Sequence, residues 1–71
     1  MDKGNFVYIC REIIEPACGD HPAFLMGKKG ERVQIIEVDN KKAFPYTVEG
    51  PTNLGKPWGA RREDLMRTKP I

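Results

Sequence analysis

Four side chains near the start of the chain are of types that could bind a metal. Cys10, Cys18, Asp20 and His21 offer two thiols, a carboxylate and an imidazole, which zinc accepts as ligands. Cys10 lies in a predicted strand, however, and the closely spaced ligand pairs of structural zinc sites are missing. We therefore predict no metal and no cofactor. We expect the thiol and imidazole to fill a tight loop, where His21 can hydrogen-bond a loop carbonyl.

The same thiol and imidazole serve as nucleophile and base in some enzymes. The sequence supplies no third residue to orient them and no oxyanion pocket, and 71 residues leave little room for an active-site cleft. We therefore expect a protein that is not an enzyme and has no small-molecule substrate. Cys10 and Cys18 are the only cysteines, and without a secretion signal at the start of the sequence we expect both thiols to stay reduced.

The composition describes one small globular domain spanning residues 1–71. A hydrophobic fraction of 39% and a charged fraction of 31% differ from those of a disordered tail. The 12 basic and 10 acidic residues give a net charge of +2, too small to indicate nucleic-acid binding by itself. No apolar run reaches the roughly 18–20 residues of a membrane span, so we predict no membrane partner and expect a cytoplasmic location.

Glycine and proline residues divide the chain into five predicted strands, an all-β architecture. Residues 6–14 are rich in β-branched and aromatic side chains and form the first predicted strand. Residues 16–30 show no hydrophobic period and are predicted to be a long first loop. Arg32–Val38 forms the second strand, in which Ile36 with Val38 suggests either a bulge or a half-turn of twist. Four side chains of these two strands are predicted to face the core: Val7, Ile9, Val33 and Ile35.

The second half of the chain alternates turns with shorter strands. Pro45 cannot donate to a strand ladder, so the third strand should be an edge strand or be bulged there. Trp58 is expected to anchor the core, because a tryptophan can bury about 150–250 Å². The predicted elements are a turn at residues 39–42, a strand at 43–49, a loop at 50–57, a strand at 58–60, a 3₁₀ turn at 61–65, a strand at 66–68 and a frayed tail from Lys69.

Two short motifs carry a resemblance to a known family. Gly27, Gly30 and Val33 match a G-x-x-G-x-x-V step, and Trp58 with residues 63–65 matches an aromatic–turn–E-D-L ending. With five short strands and a long first loop, the chain resembles the SH3-like small β-barrels over about residues 6–68. It is especially similar to stand-alone barrels of bacteria, phages and prophages, and residues 27–38 are similar to the KOW motif of transcription and ribosome factors.

The resemblance implies a binding module that acts as a small adaptor or modulator of another protein. Peptide-binding SH3 domains carry acidic and aromatic residues in the first loop and a tandem tryptophan after the second strand. The first loop here has no acidic cluster and no tyrosine, so a proline-rich partner is not expected.

Residues 24–26 place three large apolar side chains next to one another in the predicted loop. A short extended segment can bury at most two of them, so we expect an exposed patch suited to a protein partner. The alternative is that Leu25 plugs one end of the barrel while Phe24 covers another side. The predicted protein-binding surface comprises Phe24, Leu25, Met26, Lys28, Lys29, Trp58, Arg61 and Arg62.

Clusters of basic residues support a rival prediction, a KOW-like domain that binds RNA or DNA. Cationic side chains gathered on one rim of a barrel could contact phosphates, and neighbouring aromatic rings could stack on bases. Acidic residues alternate with the basic ones, which is more typical of an ordinary solvated surface. The predicted nucleic-acid-binding residues are Lys28, Lys29, Arg32, Lys41, Lys42, Arg61 and Arg62.

Overall fold

The computed structural model describes residues 1–70, and these residues form an all-β structure without an α-helix. No helix in this part of the chain is long and apolar enough to cross a membrane. The elements are β1 (Phe6–Ile9), β2 (Ile13–Glu15), β3 (Phe24–Gly27), β4 (Arg32–Val38), β5 (Tyr46–Glu49), the 3₁₀ turn η1 (Pro51–Asn53), β6 (Trp58–Ala60), the 3₁₀ turn η2 (Arg62–Asp64) and β7 (Leu65–Met66).

Five of the strands form one antiparallel sheet, and the other two form a separate ribbon. The sheet order is β6-β5-β4-β1-β7, and β2 pairs with β3. Each of the five predicted strands contributes one strand to the sheet, which curls into a half-barrel. The prediction of an all-β architecture is therefore confirmed.

The first predicted strand, residues 6–14, is two strands in the structure. The Cys10 amide still donates to the Asp64 carbonyl at 2.9 Å, in register with the β1–β7 pairing. The side chain of Arg11 also reaches Asp64, with 2.6 Å between Nη2 and Oδ1. Beyond these contacts the chain leaves the sheet, and Ile13–Glu15 pairs with β3 as a separate strand.

The prediction of a long loop over residues 16–30 is wrong, because this segment contains β3 and most of a hairpin. Cys18 and His21 exchange two main-chain hydrogen bonds of 3.0 and 2.9 Å, which close a tight turn. Phe24 then pairs with Glu15, and the register shifts by one residue between Ile13 and Ile14. The adjacent apolar residues of β3 hide the alternation that identifies a strand in a sequence.

Strand β4 has the predicted bounds. Its register against β5 shifts between Ile35 and Glu37, so Ile36 is the bulged residue, one of the two alternatives predicted. On its other side β4 pairs with β1, with Val33 opposite Val7. As the longest strand of the sheet, β4 links its two halves.

The third predicted strand, residues 43–49, is shorter in the structure and lies inside the sheet. The Asp39 amide donates to the Pro45 carbonyl at 2.8 Å, which closes the β4–β5 loop just before Tyr46. Strand β5 pairs with β4 on one side and β6 on the other. The expectation of an edge strand, or of a bulge at the proline, is wrong because Pro45 precedes the strand, where no ladder donor is needed.

The last elements lie close to their predicted positions. Trp58–Ala60 is a strand as predicted, and the 3₁₀ turn is Arg62–Asp64, within the predicted residues 61–65. The final strand is Leu65–Met66 rather than residues 66–68. Leu65 is buried and lies opposite Ile9, so pairing with β1 begins as soon as the turn ends.

One apolar cluster fills the curl of the sheet. The four residues predicted to face the core are buried, with exposed fractions of 1% or less. The remaining buried members come from the second half of the chain, and Met26 of the ribbon packs against them. The cluster comprises Val7, Ile9, Val33, Ile35, Tyr46, Val48, Trp58, Ala60 and Leu65.

The two glycines of the G-x-x-G step are required for different reasons. Gly30 has φ of +86°, a left-handed conformation that other residues adopt only with strain. Gly27 is buried, and a Cβ placed on it would lie 2.8 Å from Cζ2 of Trp58. One glycine therefore permits the turn between β3 and β4, and the other makes room for a core tryptophan.

Candidate functional site

An apolar groove of about 610 Å³ lies between the ribbon and strand β6. Ile13 and Ile14 of β2 line its ribbon side, and Trp58 and Gly59 of β6 line the opposite side. Phe44, from the loop before β5, also contributes to the lining. The groove is thus built from segments far apart in the sequence.

The sides of the groove are more exposed than its base. Ile14 is 52% exposed and Phe44 is 47% exposed, although both side chains are apolar. Met26 lines the same groove, is half-buried and packs against the core. A concave apolar surface with exposed aliphatic and aromatic sides is typical of a site that another molecule covers.

Trp58 belongs to the core and to the groove. It is only 5% exposed, which agrees with the prediction that it anchors the core. Its Nε1 is a buried donor for which residues 1–70 provide no hydrogen-bond acceptor. A buried donor without an acceptor costs about 1–3 kcal/mol and is uncommon in folded proteins. The groove therefore has an unsatisfied donor in one of its lining residues.

The structure separates the three adjacent apolar residues of β3. Met26 faces the groove, whereas Phe24 lines a different pocket together with His21 and Pro22. Phe24 is 46% exposed, and Leu25 is half-buried. The predicted protein-binding surface is thus divided between two neighbouring pockets, which share Glu15, Pro16 and Cys18.

Arg61 and Arg62 lie beside the groove rather than in it. Both line a shallow pocket with Ala43. The Arg61 guanidinium carbon lies 4.8 Å from the centroid of the Phe44 ring, a cation–π contact. Since Phe44 also lines the groove, Arg61 places positive charge close to one side of it.

Lys28, Lys29 and Arg32 lie at the opposite end of β4 from Lys41 and Lys42. Strand β4 has seven residues, so six steps of roughly 3.3 Å place its two ends about 20 Å apart. The pairing of β6 with β5 places the segment after Ala60 near the Lys41 end. The residues predicted to contact nucleic acid therefore form two groups and do not gather on one rim.

Arg32 makes the closer of the two cation–π contacts. Its guanidinium carbon lies 4.1 Å from the centroid of the Phe6 ring, and Phe6 is 51% exposed. Lys42, in the other basic group, lies 3.7 Å from a carboxylate oxygen of Glu37. Both groups thus combine positive charge with an exposed aromatic ring, because Arg61 at the Lys41 end lies over Phe44, and the contact is closer in the group that contains Arg32.

The candidate metal ligands do not meet in one place. Cys18 and His21 face each other across the hairpin turn and line the same pocket. The Cys10 thiol instead donates to the Glu63 carbonyl at 2.9 Å. Both cysteines are free thiols, and residues 1–70 contain no group of three or more side chains placed to hold a metal ion.

Asp64 connects the end of β1 to the 3₁₀ turn. This buried carboxylate accepts a hydrogen bond from Nε of Arg11 at 2.9 Å and another from the Arg61 amide at 3.1 Å. The hydrogen bond and the negative charge of Asp64 raise the pKa of Arg11 above its ordinary value. This arrangement holds η2 in place and stabilises the fold rather than forming part of the groove.

Of the groove residues, sequence reasoning found only Met26 and Trp58, and the large apolar residues that it missed are Ile13, Ile14 and Phe44. A usable signal was present, because adjacent side chains of a strand point to opposite faces and both isoleucines of the pair cannot face the core. Phe44 was assigned to a strand interior and lies in a loop instead.

No protein-family model, no curated protein and no solved structure matches this chain.

Proposed function

We propose that this chain is a small SH3-like barrel that acts without catalysis, by binding another protein in the groove between its ribbon and β6. The strand order of the sheet supports the barrel assignment. So do the hairpin inserted after β1 and the single 3₁₀ turn before the last strand. The five strands of the sheet and the turn before the last strand are features expected from the family resemblance of the sequence.

The observation that carries the proposed function is the exposed apolar lining of the groove. Ile14 and Phe44 remain about half exposed while facing the same concavity, and burying both would gain free energy on contact with a partner. The Arg61 guanidinium stacks on Phe44, and its positive charge can orient a partner. This surface differs from the predicted one by including both isoleucines and excluding Phe24.

Three phenylalanines with nearly equal exposure provide a matched test. Phe44 is 47% exposed in the groove, Phe24 is 46% exposed in the neighbouring hairpin pocket, and Phe6 is 51% exposed beside Arg32. Each is changed to serine, and capture of proteins from a nuclease-treated lysate is compared with wild type. We expect Phe44→Ser to remove capture and the other two variants to retain it.

The outcomes of this comparison separate the candidate surfaces. If Phe24→Ser alone abolishes capture, the site is the hairpin pocket and the groove assignment is wrong. If capture disappears on nuclease treatment of the wild type, the partner is nucleic acid. Circular dichroism of each variant checks that the fold is intact, since exposed substitutions usually change stability by no more than about 0.5 kcal/mol.

A second candidate function, nucleic-acid binding, is favoured by the stacked pair of Arg32 and Phe6. Lys28 and Lys29 lie near the same end of β4, so this surface could contact phosphates and stack on a base. Its test is fluorescence anisotropy with a labelled single-stranded oligonucleotide. Binding through this surface should weaken steeply with salt and be lost when Lys28 and Lys29 are changed to glutamate. Salt-independent or absent binding would remove this candidate.

A further inference from the structure

The groove is bounded by the edges of two strands rather than by their faces. It touches the adjacent residues Ile13 and Ile14 of β2, and the adjacent residues Trp58 and Gly59 of β6. Every residue from Ile13 to Cys18 lines the groove, whereas one face of an extended segment would contribute only alternate residues, so the groove runs along the edge of this segment. On the opposite side, Trp58 and Gly59 belong to β6, the outer strand of the sheet. Two strand edges therefore border the same concavity.

Both of these edges lack a neighbour in the described part of the chain. Strand β2 pairs only with β3, and β6 pairs only with β5. An unpaired strand edge presents a row of main-chain N–H and C=O groups, which a third strand can satisfy. A proline residue has no main-chain N–H, so a proline-rich peptide lacks the repeating donors needed to pair with such an edge. The site thus favours an occupant with an extended backbone.

The charges of the ribbon indicate what the occupant carries. Residues 12–27 contain three carboxylates, those of Glu12, Glu15 and Asp20, and no lysine or arginine. All three residues are exposed, and among residues 1–70 none lies within 4.0 Å of a cationic partner. Glu15 is the one that lines the groove. A basic side chain on the occupant would complement this carboxylate.

On the basis of the proposed binding function, we propose that the groove accepts an extended segment of another protein as an added β-strand between β2 and β6. Alternate apolar side chains of that segment pack on Met26 and Trp58, and a lysine or arginine lies beside Glu15. Main-chain hydrogen bonds to the two strand edges supply affinity, and the apolar and basic side chains supply specificity.

The test begins with selection from a phage-displayed library of random nonapeptides on the full chain. We expect enriched sequences in which apolar residues alternate and a lysine or arginine recurs at one position. Binding of synthetic versions is measured by the fluorescence of Trp58, the only tryptophan in the chain. Glu15→Lys should weaken binding about fivefold, whereas Glu12→Lys, the same charge change outside the groove lining, should change it less than twofold.

N-methylation of single peptide amides tests the main-chain contacts directly. Each methyl group removes one N–H donor, so methylation at the central positions should weaken binding about tenfold or more, while methylation at the ends should have little effect. Tolerance of methylation at every position, or enrichment of proline-rich sequences, would overturn strand addition.

The failure of strand addition and the failure of the proposed function give different results. Peptides that need Phe44 but tolerate N-methylation would show that the groove binds a partner in another way. Peptides that bind Phe44→Ser as well as wild type, or the absence of any enriched peptide, would overturn both proposals.

Discussion

The α-carbon of Gly27 lies directly against the outer ring of Trp58. A Cβ at position 27 would be 2.8 Å from Cζ2 and 3.3 Å from Cη2 of the indole, closer than side chains normally approach. This contact joins the ribbon to the sheet, because Gly27 ends β3 and Trp58 begins β6. The same two elements border the groove, so the packing of this pair sets how far apart the sides of the site lie.

We therefore expect Gly27→Ala to destabilise the protein by overpacking, by about 1–3 kcal/mol. Phenylalanine at position 58 lacks the outer ring atoms, so the cost of Gly27→Ala should be much smaller in a Trp58→Phe background. Urea unfolding of the two single variants and the double variant gives the coupling free energy. A coupling near zero would contradict the contact.

The same isoleucine-to-alanine change at a buried and at an exposed position tests which side chains belong to the core. Ile35 is fully buried and Ile14 is 52% exposed. Ile35→Ala should destabilise by about 2–4 kcal/mol, because it removes buried methyl groups and leaves a cavity. Ile14→Ala should change the free energy of unfolding by no more than about 0.5 kcal/mol. Equal effects in urea unfolding would show that the strand faces are misassigned.

Removal of the Asp64 side chain should destabilise the turn before β7. Asp64→Ala leaves the Arg61 amide without its 3.1 Å acceptor, and the loss should be about 1–3 kcal/mol in thermal or urea unfolding. Glu63→Ala, at the neighbouring exposed residue, is the control and should fall within about 0.5 kcal/mol of wild type. Similar losses in both variants would argue against a structural role for Asp64.

The Arg11 side chain should stay positively charged at neutral and mildly alkaline pH, so its ion pair with Asp64 should persist there. Asp64 raises the pKa of Arg11, so the stabilisation is fully present below the ordinary arginine pKa and is lost only as the pH rises through the raised value. The stability difference between wild type and Arg11→Gln should be the same at about pH 7 and about pH 9. A difference that shrinks at the higher pH would contradict this assignment.

The two thiols should differ in reactivity because their surroundings differ. Cys18 is exposed at the hairpin turn, whereas the Cys10 thiol donates to the Glu63 carbonyl and is half-buried. We expect one thiol to react quickly with a thiol reagent, and Cys18→Ser to remove that fast phase.

Protein purified without added metal should contain no zinc, and about one zinc per chain in elemental analysis would contradict the prediction.

Much of the sheet could be read from the sequence because its strands obey local rules. Val33 and Ile35 alternate with polar residues, and the run from Arg32 to Val38 is bounded by a glycine turn and a polar turn. The left-handed Gly30 and the short 3₁₀ turn before the last strand are likewise set by residue type over a few positions. Local sequence therefore determined the all-β class, the strands of the sheet and most of the core.

Tertiary structure alone decided the ribbon and the groove. Whether the segment before Gly27 is loop or strand depends on pairing with Ile13–Glu15, and that pairing depends on the chain leaving β1 where Cys10 meets Asp64, 54 positions later in the sequence. Phe44, Ile14 and Trp58 likewise come together only when the sheet curls. Such contacts are set by the closure of long loops and by core packing, which no local pattern of residue types encodes.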